Sequence, residues 1–308
     1  MHIRIANAPT SWGIEDPEDG ANPPWPQVLD QTAAACYAGI ELGPLGYLPE
    51  RPQQLRRELE LRGLELVAGF LFEPLHTPGG GARALELAER TCRLLAAADA
   101  RHLVIIQGFT RQRERGAGRP GAALSLSDAE WSTLVDTVHA VARLAAERHG
   151  LLPCFHPHAG THVEFEHEIE RLAADTDPEL VKLCIDTGHC AYAGVDPVAL
   201  YRRVADRVAY LHLKDVDRER LRAALARSLS FEQAVAARVF CPLGEGVVDF
   251  AGLRVALEDH GFDGWATVEQ DRLPTDSGTP AEHAAASLEH LRAVGLGGGP
   301  AQPVAAPP

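Results

Sequence analysis

The chain has 308 residues, 45% of them hydrophobic, with 29 basic and 43 acidic side chains and a formal net charge of −14. That apolar share is ample for one large core. The acidic balance argues against nucleic acid or an anionic membrane surface as a partner and suits a soluble protein that takes a neutral ligand or a metal ion.

Short apolar runs alternate with helical patterns along the chain. The runs are "HIRIANAP" (2–9), "GIELGP" (39–44), "LELVAGFLF" (64–72), "HLVIIQG" (102–108), "LPCFHPH" (ending at His158), "VKLCIDTGH" (181–189), "VAYLHLKDV" (208–216) and "GWATVEQD" (264–271). They read as buried parallel strands. Between them lie helix patterns, among them "RPQQLRRELELRG", which ends at Gly63 as a C-cap, and "DAEWSTLVDTVHAVARLAAERHG", for which Asp128 is the expected N-cap. Eight such alternations predict a single-domain (β/α)₈ TIM barrel over residues 1–294. The competing doubly wound sheet would show a Gly-rich phosphate turn after its first strand, and the first turn here is "NAPTSWG". Two segments exceed ordinary loop length, 109–127 and 217–248, the second with a helical stretch "FEQAVAARV". Both follow strand ends, where barrel enzymes place lids. The tail at 295–308 is rich in Gly, Pro and Ala and is expected to be disordered.

Six cysteines at 36, 92, 154, 184, 190 and 241 form no CxxC pair. Reduced packing thiols are expected, Cys190 included, which implies a reducing cytoplasm. The N-terminal segment has no long apolar stretch of the signal-peptide kind, and no run approaches the roughly 18 apolar residues of a membrane helix.

The apolar run at 181–185 ends in Asp186, Thr187, Gly188 and His189. Either Asp186 caps the next turn or helix, or the strand delivers a carboxylate to a site. Read with period two, Tyr210, His212 and Lys214 share one face of the seventh strand while Leu211 and Leu213 take the other. Trp265, Thr267, Glu269 and Asp271 share a face of the eighth, and Cys154, His156 and His158 a face of the fifth, with Glu164 after a turn. Each polar residue alone has an ordinary structural explanation: a turn cap, a hydrogen-bonded core histidine, an ion pair of Glu269 with Arg272. Their coincidence at one end of neighbouring strands favours a site, because burying several charges without a cation is costly. Glu164, Asp186, His212 and Glu269 are the expected metal ligands, an oxygen-rich set for Mn²⁺ or Co²⁺, with Mg²⁺ or Zn²⁺ as alternatives. Glu166 competes with Glu164 for its place. His156 and His158 are expected to meet substrate or support the ligands.

"CIDTGHCAYAGVDP", "HLKDVD", "FCPLGEGVVDF" and "WATVEQDR" closely resemble the xylose-isomerase-like TIM-barrel superfamily of sugar isomerases and epimerases. Within it the motifs look most like the inosose (2-keto-myo-inositol) dehydratases, to which "NAPTSWG", "ELGPLGYLP" and "HPHAGTHVE" are also similar. The likeness runs from about residue 3 to 272. It implies a divalent metal on Glu164, Asp186, His212 and Glu269, with His189 and Lys214 lining the substrate site. Ser11 stands where many dehydratases have Asn before the Trp.

The resemblance implies dehydration of inosose through a metal-stabilised enediolate to a trihydroxycyclohexane-dione. The general base is one of Glu269, Glu164, His156 or His189, and Lys214 or a histidine assists departure of water. The same enediolate, reprotonated, gives a keto-sugar or keto-inositol isomerase or epimerase instead. Trp12, as a ring platform, with Glu41, Tyr47, Glu73 and Gln107, is expected to decide between these outcomes on a polyol or keto-sugar substrate. A metal-dependent phosphodiesterase on the same barrel would need more His ligands and a basic groove, which the net charge opposes. A non-catalytic sugar-binding barrel is disfavoured by the full ligand set. A homo-oligomer is compatible with the sequence but no feature fixes one.

Overall fold

The structure is a computed structural model that describes residues 2–273 and 279–297. Its parallel sheet comprises β1 (His2–Asn7), β2 (Gly39–Ile40), β3 (Glu65–Leu66 and Ala68–Glu73), β4 (His102–Gln107), β5 (Leu152–Phe155), β6 (Lys182–Asp186), β7 (Val208–Leu213) and β8 (Asp263–Val268). β3 is broken only at Val67. Its first half pairs with β2 and its second with β4, so the two ends of the sheet belong to one bent strand and the ring closes. Across the opposite seam β1 pairs with β8, Ala6 beside Thr267. The predicted (β/α)₈ barrel is the observed fold.

Period-two alternation sorts the strand side chains as the sequence implies. Leu103, Ile105, Phe155, Leu183, Ile185, Leu211, Leu213 and Val268 face the helices in the main core. Ala6, Ala68, Val104, Cys154, Cys184 and Tyr210 fill the barrel interior, with Trp265 packed against them. The six cysteines are free thiols, five of them buried.

Two details of the ends differ from expectation. Helix Asp128–Arg143 is capped by Ser127, one residue before the expected Asp128. The Ser127 hydroxyl accepts from the Glu130 N–H, and the Glu130 carboxylate accepts from the Ser127 N–H at 2.9 Å. That reciprocal box satisfies two donors where Asp128 alone would satisfy one. The first three residues of the expected tail, 295–297, are also ordered. Gly295 turns left-handed (φ 81°) after helix Pro280–Ala293, which lets Leu296 return to the core. The rest of that tail, from 298, lies outside the described residues.

Both long excursions sit over the strand C-terminal ends. The first carries the short helix Arg111–Arg115, the second helices Arg218–Ala226 and Phe231–Ala236. They share a small core of their own, in which Ala117, Ala159, Tyr192, Ala224, Phe231 and Phe240 are buried together. The second is tied down by Asp215, whose carboxylate accepts backbone N–H groups from Gly244 (2.9 Å), Gly246 (3.0 Å) and Val248 (3.0 Å). This is the structural work of the "GEGV" motif: a Cβ on Gly246 would lie 2.2 Å from Asp215 Oδ1. No helix among the described residues is long and apolar enough to cross a membrane.

Candidate active site

Asp186, the last residue of β6, serves both purposes its sequence context suggests. Its Oδ1 accepts the N–H groups of Gly188 (2.7 Å) and His189 (2.9 Å), capping the short helix Thr187–Tyr192. Its Oδ2 has no hydrogen-bond partner among the described residues and faces the barrel mouth. There it stands 3.5 Å from His156 Nε2, 3.8 Å from His212 Nδ1 and 3.3 Å from Lys214 Nζ.

His156, Asp186, His212 and Glu269 form one buried group, each offering a ligand atom, all within 4.8 Å of one another. His212 Nδ1 also lies 3.2 Å from Glu269 Oε2. On its other side His212 Nε2 meets Glu41 Oε1 at 2.9 Å, and that oxygen accepts the Tyr210 hydroxyl at 2.7 Å. A carboxylate behind a histidine fixes the ring and the tautomer that presents the opposite nitrogen. The chain fits a divalent ion here. Two imidazoles and two carboxylates are a mixed N/O donor set, and the buried Asp186 Oδ2 and His212 Nδ1 lack hydrogen-bond partners among the described residues.

The expected set differs at one member. Glu164 is not in the group. Its Oε1 accepts the Gly118 N–H at 2.7 Å and its Oε2 lies 3.5 Å from the Arg113 guanidinium, in the joint between the first excursion and the β5 loop. The reason is where β5 stops. The strand ends at Phe155, so His156 is the next inward position. The turn beyond it, closed by the His158 N–H to Val163 O bond of 3.0 Å, carries Glu164 away. Glu166, its competitor, pairs with Arg203 at the surface.

Beside this group lies a second. His158, His189 and Asp271 also bring one ligand atom each within 4.8 Å of one another. Lys214 Nζ sits between the groups, 2.7 Å from Asp271 Oδ1, 3.0 Å from His189 Nε2 and 3.2 Å from Glu269 Oε2. Burial opposes the Lys214 charge, but Asp186, Asp271 and Glu269 outweigh it and hold its pKa well above the usual lysine range. Burial, the neighbouring imidazoles and Lys214 hold His158 and His189 well below the histidine range, so both are neutral. For Asp186, Lys214 and the imidazoles overcome burial and keep the carboxylate ionised.

A cavity of about 630 Å³ opens onto both groups. Its polar side carries His156, His158, His189, His212, Lys214, Glu269 and Asp271; Phe70, Phe72, Phe109 and Phe231 line the apolar side. His158 and Phe109 meet edge to face, centroids 5.4 Å apart.

Several residues expected in the substrate site do not line this cavity. Trp12 is buried in the main core, where its indole N–H donates to Gln31 Oε1 at 2.6 Å, so it is no ring platform. Glu73 accepts from Arg83 Nε at 3.0 Å. Gln107 Nε2 donates to Gly108 O at 2.9 Å. The Tyr47 hydroxyl donates to Pro23 O at 2.8 Å. Glu41 acts from beneath, through His212. Sequence reading assigned no role to Asp271, the lid phenylalanines, or the buried Arg113, which donates to Glu168 Oε2 at 2.6 Å. Asp271 was findable, because it shares the parity of Glu269. Phe109 and Phe231 lie in irregular excursions, where no period applies.

The family model of the xylose isomerase-like TIM barrel matches residues 29–294. The inosose dehydratase of Salmonella agona (strain SL483) is 33% identical over 296 residues, covering 94% of this chain and 95% of that protein. The rhizopine catabolism protein MocC of Rhizobium meliloti is 36% identical over 293 residues, covering 94% of this chain and 88% of its own. Among solved structures, the IolI protein with a bound zinc atom superposes with a TM-score of 0.73 at 14% identity, covering 94% of this chain and 97% of that one.

Proposed function

This chain belongs to the xylose isomerase-like TIM-barrel family, and from that premise we propose that it is a divalent-metal-dependent hydro-lyase of the inosose dehydratase type, removing water from 2-keto-myo-inositol. The observation that carries the reading is the buried His156–Asp186–His212–Glu269 group at the floor of the cavity. The relative of 33% identity, an inosose dehydratase, supports the substrate class, a cyclic polyol ketone. The zinc atom bound to the IolI protein supports a divalent ion on a chain of this fold. Two nitrogen ligands favour Zn²⁺, Co²⁺ or Mn²⁺ over Mg²⁺.

His156, Asp186, His212 and Glu269 would hold a divalent ion, which would supply Lewis acidity towards the ketone and so acidify the neighbouring C–H. The remaining work falls to the chain. His158 is the base we assign. Its Nδ1–H donates to Ala159 O at 2.8 Å, which leaves the Nε2 lone pair free, and its lowered pKa keeps the ring neutral. His158 hands the proton it took from carbon to the β-hydroxyl, which departs as water, while Lys214 stays protonated and steadies that oxygen with a hydrogen bond. The product is a trihydroxycyclohexane-dione. The phenylalanine side packs the C–H face of the ring and excludes water. Glu164 lies outside the cavity lining and has no part as base.

The test is product mass. The purified protein, stripped of metal, is given 2-keto-myo-inositol with and without Mn²⁺ or Co²⁺. Loss of one water only when metal is present supports the reading. Unchanged mass with a new chromatographic peak would make the chain an isomerase or epimerase, and no change with metal bound would remove inosose as substrate.

A further inference from the structure

We infer that the Lys214 ammonium is a tethered cation standing in the place of a second divalent ion, and that it keeps this site to one metal. The inference rests on the metal reading of the first group.

Two sets of ligand-type residues lie side by side at the barrel mouth. His158, His189 and Asp271 satisfy the same spacing as the first group, their ligand atoms within 4.8 Å of one another. Asp271 is buried, and its Oδ2 has no hydrogen-bond partner among the described residues. A buried carboxylate and two buried or half-buried imidazoles at that spacing make a cation site. A cation already fills it. Lys214 Nζ is 2.7 Å from Asp271 Oδ1 and 3.0 Å from His189 Nε2. It also reaches Asp186 Oδ2 (3.3 Å) and Glu269 Oε2 (3.2 Å), so it bridges the two groups as a second metal sharing carboxylates would.

The chain is shaped to deliver it. The Thr187 hydroxyl and the Lys214 backbone hold each other, with Lys214 N–H donating to Thr187 Oγ1 at 2.9 Å and Thr187 Oγ1 donating to Lys214 O at 2.7 Å. Gly188 leaves a slot for the lysine stem: a Cβ there would lie 2.6 Å from Lys214 Cβ and Cγ. The Phe240 ring closes over the ammonium, its centroid 5.3 Å from Nζ. The functional consequence is a division of labour. The second position carries a cation that bears protons in place of one that takes lone pairs, so one substrate oxygen can be polarised while its neighbour receives a hydrogen bond.

The test is metal stoichiometry, read by plasma mass spectrometry after equilibration with Co²⁺ and dialysis, with near-ultraviolet circular dichroism as the fold check. The unaltered protein is expected to hold one equivalent, Lys214→Ala two, and Lys214→Ala/Asp271→Asn one again. A second variant, Lys214→Ser, vacates the same position and is expected to hold two equivalents as well. Two equivalents in the unaltered protein, or any count other than two in folded Lys214→Ala, overturns the inference. Failure of both variants to fold with Co²⁺ present also counts against it, because an ion should replace a charge that merely fills an ion's place. None in the unaltered protein would instead remove the metal reading of the first group.

Discussion

Glu41 and His212 meet through a hydrogen bond of 2.9 Å at the floor of the barrel mouth. Glu41 lies just beyond β2 and His212 on β7, so the contact crosses the barrel interior. It makes Glu41 the orienting partner of a candidate ligand. Glu41→Gln should keep the fold and lower Co²⁺ affinity by about 10- to 100-fold, measured by titration calorimetry.

His156 stands in the candidate ligand group where the sequence suggested Glu164, and two variants separate them. His156→Ala should lose Co²⁺ binding by at least the factor expected for Glu41→Gln, whereas Glu164→Gln should bind Co²⁺ unchanged. Glu164→Gln should alter stability instead. Burial pushes the Glu164 pKa from 4.5 up to about 7, against the opposing pull of the Gly118 N–H and Arg113. A carboxyl raised on folding holds its proton longer in the folded state. Its contribution is therefore intact below pH 4.5 and is lost as pH rises towards 7. Chemical denaturation across that window should show Glu164→Gln gaining on the unaltered protein by up to about 3 kcal/mol at the upper end.

Metal uptake should depend on pH with a definite sign. Without metal, burial lowers the His212 pKa, but Cys184, Glu269 and Glu41 outweigh it and hold it well above the histidine range. His212 must give up that proton before Nδ1 can bind an ion. Co²⁺ affinity should rise as pH rises through neutrality, with protons released to the buffer. Calorimetry in buffers of different ionisation enthalpy reads the proton count, and an affinity that falls with rising pH would contradict this picture.

Gly188 marks a tight approach. An added Cβ would also stand 3.0 Å from Lys214 Cδ, besides its closer clash with Cβ and Cγ. Gly188→Ala should displace the lysine stem, cost about 1–3 kcal/mol of stability, and reduce kcat more than it raises KM, measured by thermal unfolding and steady-state kinetics.

The fold and half of the candidate site were legible because β7 and β8 alternate strictly. Leu211 and Leu213 could only face helices, so His212 and Lys214 had to face inward, and Glu269 followed by the same parity. Asp186 was legible as an abrupt polar end to an apolar strand. Legibility ended where regular structure ended. The turn after Phe155 chooses between His156 and Glu164, and its direction depends on tertiary contacts of Glu164 with Gly118 and Arg113, about fifty residues earlier in the chain. Trp12 has the composition of a sugar platform, but a partner for its indole N–H at Gln31 settles it in the core. The members of the second ligand-type group were legible singly, Asp271 by its parity with Glu269, but their convergence on Lys214 was not, since it depends on the turn that carries His158 and on the short helix that carries His189.

The measurement that bears most directly on this account is the position of a bound ion, located by anomalous scattering in crystals grown with Co²⁺. The account predicts a single strong peak within bonding distance of His156, Asp186, His212 and Glu269, with Lys214 still seated against Asp271 and His189. A peak bound by Glu164, or by His158, His189 and Asp271 with the first group empty, would contradict it.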